Sequence, residues 1–462
     1  MDRLMETYFS LEAGFADIDN SVIIEGAEFV YLLGHCFCSK DIESVKKFTT
    51  SRAWFTYRKN FPAIGGTGPT SDQGWGCMLR CGQMLLAQSL SVLHLGRTWE
   101  WEQNSKNETY RKLLRMFQDK RTSLYSLHQI AQMGVSEGKA LGEWFGPNTI
   151  AQVLKKLVIY DDWAKMAIHV AMDNILISSD VRAMARTKPP SKDLVDISKS
   201  KNEKSPETSN GKDDSEEEFW RPLLIIVPLR LGLTTMNRCY LPAIQEYFKL
   251  PQCTGIIGGR PNHAVYFYGI ANDKLLYLDP HVCQEAVNID SDQMEAIGSD
   301  PQSDVSAIHS NDSRTSMEMV DNPANAVTSE PSSPETNRNI LKDMECPEEQ
   351  SDSLSGSDPD NFEDSTFHCP YLMYMDFESL DPSLALSFLC CCEDDYIDLV
   401  ERLKPMIAAS KPPLFELLEK RPPGFPKFVP YVGDDEALKL KEFDDFGDPK
   451  FDSDEEFEVL MP

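Results

Sequence analysis

The stretch from Thr70 to Leu90, TSDQGWGCMLRCGQMLLAQSL, places a cysteine where a glycine-bracketed loop turns into helical spacing. At a helix N-terminus the unpaired backbone amides and the macrodipole favour a thiolate, so the pKa of Cys77 is expected to fall from about 8.5 toward neutrality. Gly74 and Gly76 would let a substrate backbone approach, and the amide of Cys77 could face a developing oxyanion. Cys77 is therefore the candidate nucleophile.

A general base for this thiol is expected on a later strand. In YLDPH the strand period of two puts Tyr277, Asp279 and His281 on one face. The carboxylate would fix the tautomer of the imidazole, and the imidazole would lie near the thiol. The alternative is a strand-end turn in which Asp279 bonds only a backbone amide.

A second histidine competes for the same role. His263, in RPNHAVYFYGI, opens the preceding strand, so Cys77, His263 and Asp279 would follow the chain order of classical papain-like enzymes. Spacing leaves both histidines open.

Cysteine spacing argues against a metal centre. Cys36 with Cys38, and the run Cys390 to Cys392, lack the paired spacing of a structural zinc site. Cys81 is interpreted as a packed thiol rather than a redox partner of Cys77. The sequence predicts no metal and no cofactor.

The elements that position these residues change type along the chain. Leucines recur at helical spacing after Cys77 as far as Gly96, and Pro147 opens a second helix in WFGPNTIAQVLKKL. Strand patterns follow in PLLIIVPLRL, TGIIGG, HAVYFYGI and KLLYLDPH, the last two joined by a turn at 271–273. Helices first and an antiparallel sheet later predict an α+β fold, with the nucleophile's helix packed on the sheet as in papain-like proteases.

Composition marks two interruptions and two tails. Residues 187–218 are predicted to be a mobile loop, and residues 289–365 a disordered insertion, because 290–364 carries 19 acidic and 3 basic residues and little apolar surface. The predicted organisation is a flexible N-terminal tail at 1–25, a catalytic domain at 26–432 with these loops inside it, and an acidic C-terminal tail at 433–462.

Charge and targeting signals limit the class of protein. A net charge of -29 excludes a general nucleic-acid binder, which would carry a basic face. The N-terminus lacks the pattern of a signal peptide, and no apolar run is long enough for a membrane span. A cytoplasmic protein with reduced cysteines is predicted.

Five motifs carry a resemblance to a known family: WFTYRKNFPAIGGTGPTSDQGWGCMLRCGQ, EWFGPNTIAQVLKKL, VPLRLGL, GIIGGRPN and YLDPH. The chain resembles the autophagy-4 cysteine proteases, or autophagins, and most closely their short-tailed A/B-type branch, from which the acidic insertion departs. The resemblance implies a papain-like fold with a small auxiliary subdomain, acting as a monomer.

The substrates implied are autophagy-8 ubiquitin-like modifiers of the light-chain and GABARAP class. The enzyme would cut after their C-terminal glycine, and it would also release them from phosphatidylethanolamine through transient membrane contact.

Site roles follow from the same resemblance. Cys77 would be the nucleophile, His281 the general base and acid, and Asp279 the residue that orients it, which demotes His263. Tyr57 matches a tyrosine associated with the oxyanion hole. The resemblance also implies a lid over the cysteine, which forms a slot so narrow that only glycine fits before the cut. Trp144 matches one side of this lid, and the other side is matched by Gly258, Gly259, Arg260 and Pro261.

Both ends of the chain offer a binding motif. Phe457 and Leu460 follow acidic residues in an aromatic-x-x-aliphatic pattern, and Tyr8 and Leu11 form a weaker copy. Such segments add a strand to the sheet edge of a ubiquitin-like partner. A catalytically weak scaffold is therefore the alternative function, and a deubiquitinase-like hydrolase is a third. The complete Cys, His and Asp set favours an active protease.

Overall fold

The computed structural model describes residues 26–103, 105–187, 219–287 and 362–431. All of these residues belong to one unit of the chain. The two predicted tails, with Tyr8, Leu11, Phe457 and Leu460, lie outside the described residues, as does nearly all of the two predicted loops. The motif assignments and the separate auxiliary subdomain remain predictions.

Helices occupy mainly the first half of the described chain. In order they are α1 (Ile42–Thr50), α2 (Cys77–Leu95), α3 (Glu108–Arg115), α4 (Leu127–Val135), α5 (Pro147–Leu157), α6 (Ser178–Ala185), α7 (Leu241–Lys249) and α8 (Glu393–Ala409). No helix in the described ranges is both long enough and apolar enough to span a membrane.

Strands are short before residue 220 and longer after it. They are β1 (Phe29–Leu32), β2 (His35–Cys38), β3 (Tyr57–Lys59), β4 (Ala167–Val170), β5 (Ile175–Ile177), β6 (Arg186–Thr187), β7 (Phe219–Trp220), β8 (Leu223–Arg230), β9 (Cys253–Arg260), β10 (His263–Ala271), β11 (Lys274–Leu278), β12 (Cys283–Glu285), β13 (Met373–Asp376), β14 (Ser383–Cys390) and β15 (Glu416–Leu418).

The main sheet has the order β13-β11-β10-β9-β14-β8-β4, and β1 pairs with the far half of β10 and with β2. Its pairs are antiparallel except for β4 with β8. Strands β8, β9, β10 and β14 are almost fully buried. Helix α2 packs on β9 and β10, so the helix of the candidate nucleophile lies against the centre of the sheet. The predicted α+β arrangement is confirmed.

Local signals explain where the key elements begin and end. Helix α2 begins at Cys77 and is capped by Gly96, whose φ of 92° is a backbone conformation that glycine adopts readily and other residues do not. Pro147 is the first residue of α5, where its missing N–H costs nothing. Strands β10 and β11 are joined through Asn272, with a φ of 55°.

One predicted boundary is wrong. The sequence assigned residues up to 365 to the disordered insertion, yet Phe362 is 6% exposed and Asp364 is 2% exposed. The carboxylate of Asp364 accepts hydrogen bonds from Trp101 Nε1 at 2.9 Å and from the hydroxyl of Tyr110 at 2.8 Å. The low apolar content of the stretch predicted disorder up to residue 365. The burial of these last residues depends on partners from a distant part of the chain, which composition does not show. Thr187, the first residue of the other predicted loop, is the last residue of β6.

Candidate active site

The thiol of Cys77 lies at the first position of α2 and is 1% exposed. Burial by itself raises the pKa of this thiol, but a hydrogen bond to His281 and its charge outweigh burial. The backbone N–H of Ala264 and the hydroxyl of Tyr57 add to the effect, and the pKa is lowered. The protein therefore surrounds this sulfur with groups that favour the thiolate.

His281 is held by Asp279 through two contacts. Its Nδ1 lies 2.5 Å from Asp279 Oδ1, and its backbone N–H donates to the same oxygen at 2.9 Å. Burial lowers the pKa of His281, but the hydrogen bonds to Asp279 and to Cys77 prevail and raise it to about 9. Nε2 is buried and has no partner of ordinary hydrogen-bond geometry in the described part of the chain. The interaction of Nε2 with the Cys77 thiol therefore departs from ordinary hydrogen-bond geometry, yet His281 makes the largest of the contributions that lower the pKa of that thiol.

Asp279 remains a carboxylate. Although burial raises its pKa, the hydrogen bonds from His263 and His281 lower it well below its usual range. Strand β11 ends at Leu278, so Asp279 and His281 lie in the turn after the strand rather than on it. The two side chains lie together as predicted, but the turn brings them together and not strand alternation. The turn bond to the amide and the contact with the imidazole coexist, whereas the sequence had treated them as alternatives.

The two candidate histidines take different places around Asp279. His281 couples to the thiol, whereas Nε2 of His263 lies 3.5 Å from Asp279 Oδ2. The two imidazole rings stack with centroids 3.7 Å apart and planes at 4°. The thiol is thus coupled to His281, and His263 lies against one face of the His281 ring.

Tyr57 is 4% exposed and meets the ring of His281 edge-on, with centroids 5.3 Å apart. Burial and the adjacent Cys77 raise the pKa of Tyr57, so its hydroxyl stays a donor. Its backbone N–H donates to the carbonyl of Pro280 at 2.7 Å, and Trp54 Nε1 donates to the carbonyl of Asp279 at 2.7 Å. These two hydrogen bonds hold the turn that carries His281.

A buried ion network beneath α2 was missed by sequence reasoning. Asp72 Oδ1 accepts from the backbone N–H of Arg58 at 2.6 Å, and Asp72 Oδ2 accepts from Arg80 Nε at 2.8 Å. Arg80 also donates to Asp119 at 2.8 Å. Asp72 lies in the loop quoted above, and Arg80 follows Cys77 by about one helical turn. The sequence around these two residues does not distinguish a buried ion pair from a solvent-exposed one.

Gly74 and Gly76, which were both predicted to let a substrate backbone approach, differ in the structure. A Cβ on Gly76 would lie 2.4 Å from Asp72 Oδ2, so Gly76 is required by packing inside the loop rather than by substrate approach. Gly74 has a φ of 85°, and a Cβ built on it would meet no atom within 4 Å, which leaves the predicted substrate approach open there.

The predicted lid residues are only partly brought to the site. Gly258 and Gly259 pair with Val265 and Ala264 on β10, next to the Ala264 amide that reaches the thiol. Pro261 is exposed in the turn that follows β9. Trp144 is 37% exposed in the segment before α5, and no hydrogen bond or ring contact joins it to 258–261 among the described residues.

Two further expectations concern the surrounding groups. Cys81 is 0% exposed, and burial, followed by the charge of Cys77, raises its pKa well above the usual range, as expected for a packed thiol. His263, Asp279 and His281 offer ligand atoms within 4.8 Å of one another, although the sequence predicted no metal. Nε2 of His263 and Nδ1 of His281 each face one carboxylate oxygen of Asp279, an arrangement suited to holding and moving a proton.

The pKa shifts predict how Cys77 reacts with pH. We expect iodoacetamide to modify Cys77 at neutral pH, with a second rise in rate as pH passes about 9, where His281 loses its proton and frees the thiolate from the ion pair. Mass spectrometry of the Cys77 peptide measures the rate, and the exposed Cys36 provides an internal reference. A single rise with no inflection near pH 9 would contradict the ion pair.

The same shift affects stability. Since the pKa of His281 is raised from 6.5 to about 9, its stabilising contribution is complete below pH 6.5 and is lost as pH rises through about 9.

Comparisons with known proteins give matches over most of the chain. A sequence model of the peptidase C54 catalytic domain matches residues 42–402. The chain is 37% identical over 443 residues to "Cysteine protease ATG4A" of Homo sapiens, covering 94% of this chain and 93% of that protein. It is 36% identical over 470 residues to "Cysteine protease ATG4B" of Xenopus laevis, covering 100% of both chains.

Proposed function

The chain belongs to the peptidase C54 family of cysteine proteases, as the motifs indicated, and from that premise we propose that it cleaves autophagy-8-type modifiers after their C-terminal glycine. Cleavage of the precursor would mature the modifier, and cleavage of its phosphatidylethanolamine conjugate would release it from membranes. One observation carries the proposal: the thiol at the start of α2 and the carboxylate-held imidazole of His281 lie on opposing elements of one site.

The chemistry runs through an acyl-enzyme. The thiolate of Cys77 attacks the glycine carbonyl carbon, forming a C–S bond, while the hydroxyl of Tyr57 and amides near the α2 N-terminus are available to the developing oxyanion. Imidazolium His281 gives its proton to the leaving amine as the C–N bond breaks. His281 then removes a proton from water as the water oxygen attacks the thioester carbonyl carbon. The C–S bond breaks, which releases the modifier with a free glycine carboxyl group and restores the Cys77 thiolate beside imidazolium His281. Asp279 stays ionised and keeps Nδ1 protonated throughout.

This chemistry makes no distinction between the two substrates. A peptide bond after glycine and the amide to phosphatidylethanolamine share the same acyl group, and they differ only in the departing amine. A slot between Trp144 and the 258–261 segment would select for glycine because any side chain before the cut would collide with its walls.

Steric selection gives a prediction on the substrate. Changing the glycine before the cut to alanine should lower kcat/KM by roughly 100-fold, because an added methyl displaces the carbonyl from the thiolate. Cleavage of a modifier precursor extended past its glycine, followed by gel shift and mass spectrometry, measures the loss. Substitution one residue after the cut serves as the control and should have little effect. Equal cleavage of both precursors would exclude the narrow slot.

The lipid-linked substrate needs its own assay. Modifier conjugated to phosphatidylethanolamine on liposomes should be released by the wild-type protein and not by Cys77→Ala. Ubiquitin with the same C-terminal extension tests the deubiquitinase-like alternative. Binding of the modifier without cleavage of either substrate would favour the scaffold instead.

A further inference from the structure

His263 is not used by the mechanism, yet it contacts both residues that activate the thiol. Its ring stacks face to face on His281 at 3.7 Å, and its Nε2 lies 3.5 Å from Asp279 Oδ2. Its side chain is 29% exposed, so it closes one side of the imidazole without being part of the core.

The second oxygen of Asp279 needs a partner. Oδ1 already accepts from the ring and the backbone of His281. Trp54 Nε1 donates its hydrogen bond to the main-chain carbonyl of Asp279 and not to the carboxylate. The side-chain torsion χ2 of an aspartate is soft, so hydrogen bonds to one carboxylate oxygen alone do not fix the plane of the carboxylate group. In the described part of the chain, His263 is the side chain that the structure places at Oδ2.

The backbone around His263 is built to hold it there. His263 pairs with Arg260 across the β9–β10 turn, and the next residue, Ala264, supplies the amide that reaches the Cys77 sulfur. Gly259 has a φ of 148°, and a Cβ there would lie 2.1 Å from the carbonyl oxygen of His263. Two consecutive residues therefore contact the site: the amide of Ala264 reaches the Cys77 sulfur, and the side chain of His263 reaches the Asp279 carboxylate.

We infer that His263 is a positioning residue, which fixes the plane of the Asp279 carboxylate through Oδ2 and the tilt of the His281 ring by stacking on it. The charged and titratable groups that the structure places against it are Asp279 and His281 after β11, and Arg260 is its partner across the β9–β10 turn. His263 touches no reacting atom.

Three substitutions separate the two contacts. His263→Ala removes both, His263→Phe keeps a stacking face, and His263→Gln keeps a donor near the position of Nε2. We expect His263→Ala to lower kcat roughly tenfold with KM unchanged, and the other two to lie between it and the wild type. Asn272→Gly, at the opposite end of the β10–β11 hairpin where φ is already positive, is the matched control and should match the wild type.

Alkylation of Cys77 provides a second readout. The cleavage assay rests on the proposed function, whereas the pH profile of iodoacetamide modification does not. His263→Ala should reduce the alkylation rate at neutral pH, because a loosely held imidazolium supports the thiolate less well. If the wild type fails to cut the modifier but His263→Ala still shifts the alkylation profile, the inference stands and the proposed substrate is wrong.

Three outcomes would overturn the inference. In the first, His263→Ala leaves both kcat and the alkylation profile unchanged. In the second, it abolishes cleavage as completely as His281→Ala, which would make His263 the base. In the third, His263→Phe and His263→Gln both keep the wild-type melting temperature but lose as much activity as His263→Ala. Neither the stacking on His281 nor the contact with Asp279 Oδ2 would then contribute to activity by itself.

Discussion

Replacing His281 with alanine is expected to lower kcat/KM for a glycine-extended modifier precursor by roughly 10⁴-fold, and replacing Cys77 with alanine to abolish cleavage. His281 makes the largest of the contributions that lower the pKa of the Cys77 thiol against the opposing effect of burial. Without it the thiol is a buried, protonated side chain, and no positioned acid remains to protonate the departing amine.

Comparison with His263→Ala makes this prediction discriminating. Both histidines lie within reach of Asp279, and sequence spacing left both as candidates. The structure couples the thiol to His281. A steady-state series with the wild type, His281→Ala and His263→Ala therefore ranks them. If His263→Ala proved the inactive variant while His281→Ala still cut the precursor, the assignment of the base would be reversed.

Replacing Asp72 with alanine should lower the free energy of unfolding by about 3–5 kcal/mol, the cost of leaving a buried charge without its partner. Arg80 is 1% exposed and depends on Asp72 and Asp119 for its neutralisation. Because Asp72 also holds the Arg58 amide beside Tyr57, activity should fall even where the protein remains folded. Chemical denaturation followed by intrinsic fluorescence measures the change.

Matched variants separate the charge from the packing. Asp72→Asn keeps the shape and an acceptor, so it should cost less than alanine. Glu246→Ala removes an exposed partner of Lys249, whose side chain is 37% exposed, and should change stability by less than about 1 kcal/mol. A loss for Asp72→Ala no greater than that for Glu246→Ala would show that the buried network contributes little.

Local signals in the sequence were sufficient for much of the site. Glycines before Cys77 and leucines after it predict a loop that becomes a helix, and the strand patterns predict the sheet on which that helix packs. The D-P-H turn is equally local, because Asp279 and His281 need only two residues of separation to meet. The limits of the acidic insertion were less clear, since the burial of Phe362 and Asp364 depends on α3 and on Trp101.

What the sequence by itself indicated is therefore the family, the α+β class and the candidate nucleophile, because each rests on motifs and spacings that are local in the chain. Tertiary structure decided which histidine couples to the thiol, where the second oxygen of Asp279 finds a partner, and why Gly76 is glycine. It also joined β1 and β4 to the main sheet and placed Asp72 against Arg80. These relations depend on distances of a few ångströms between distant segments, and only the packing of helix against sheet sets those distances.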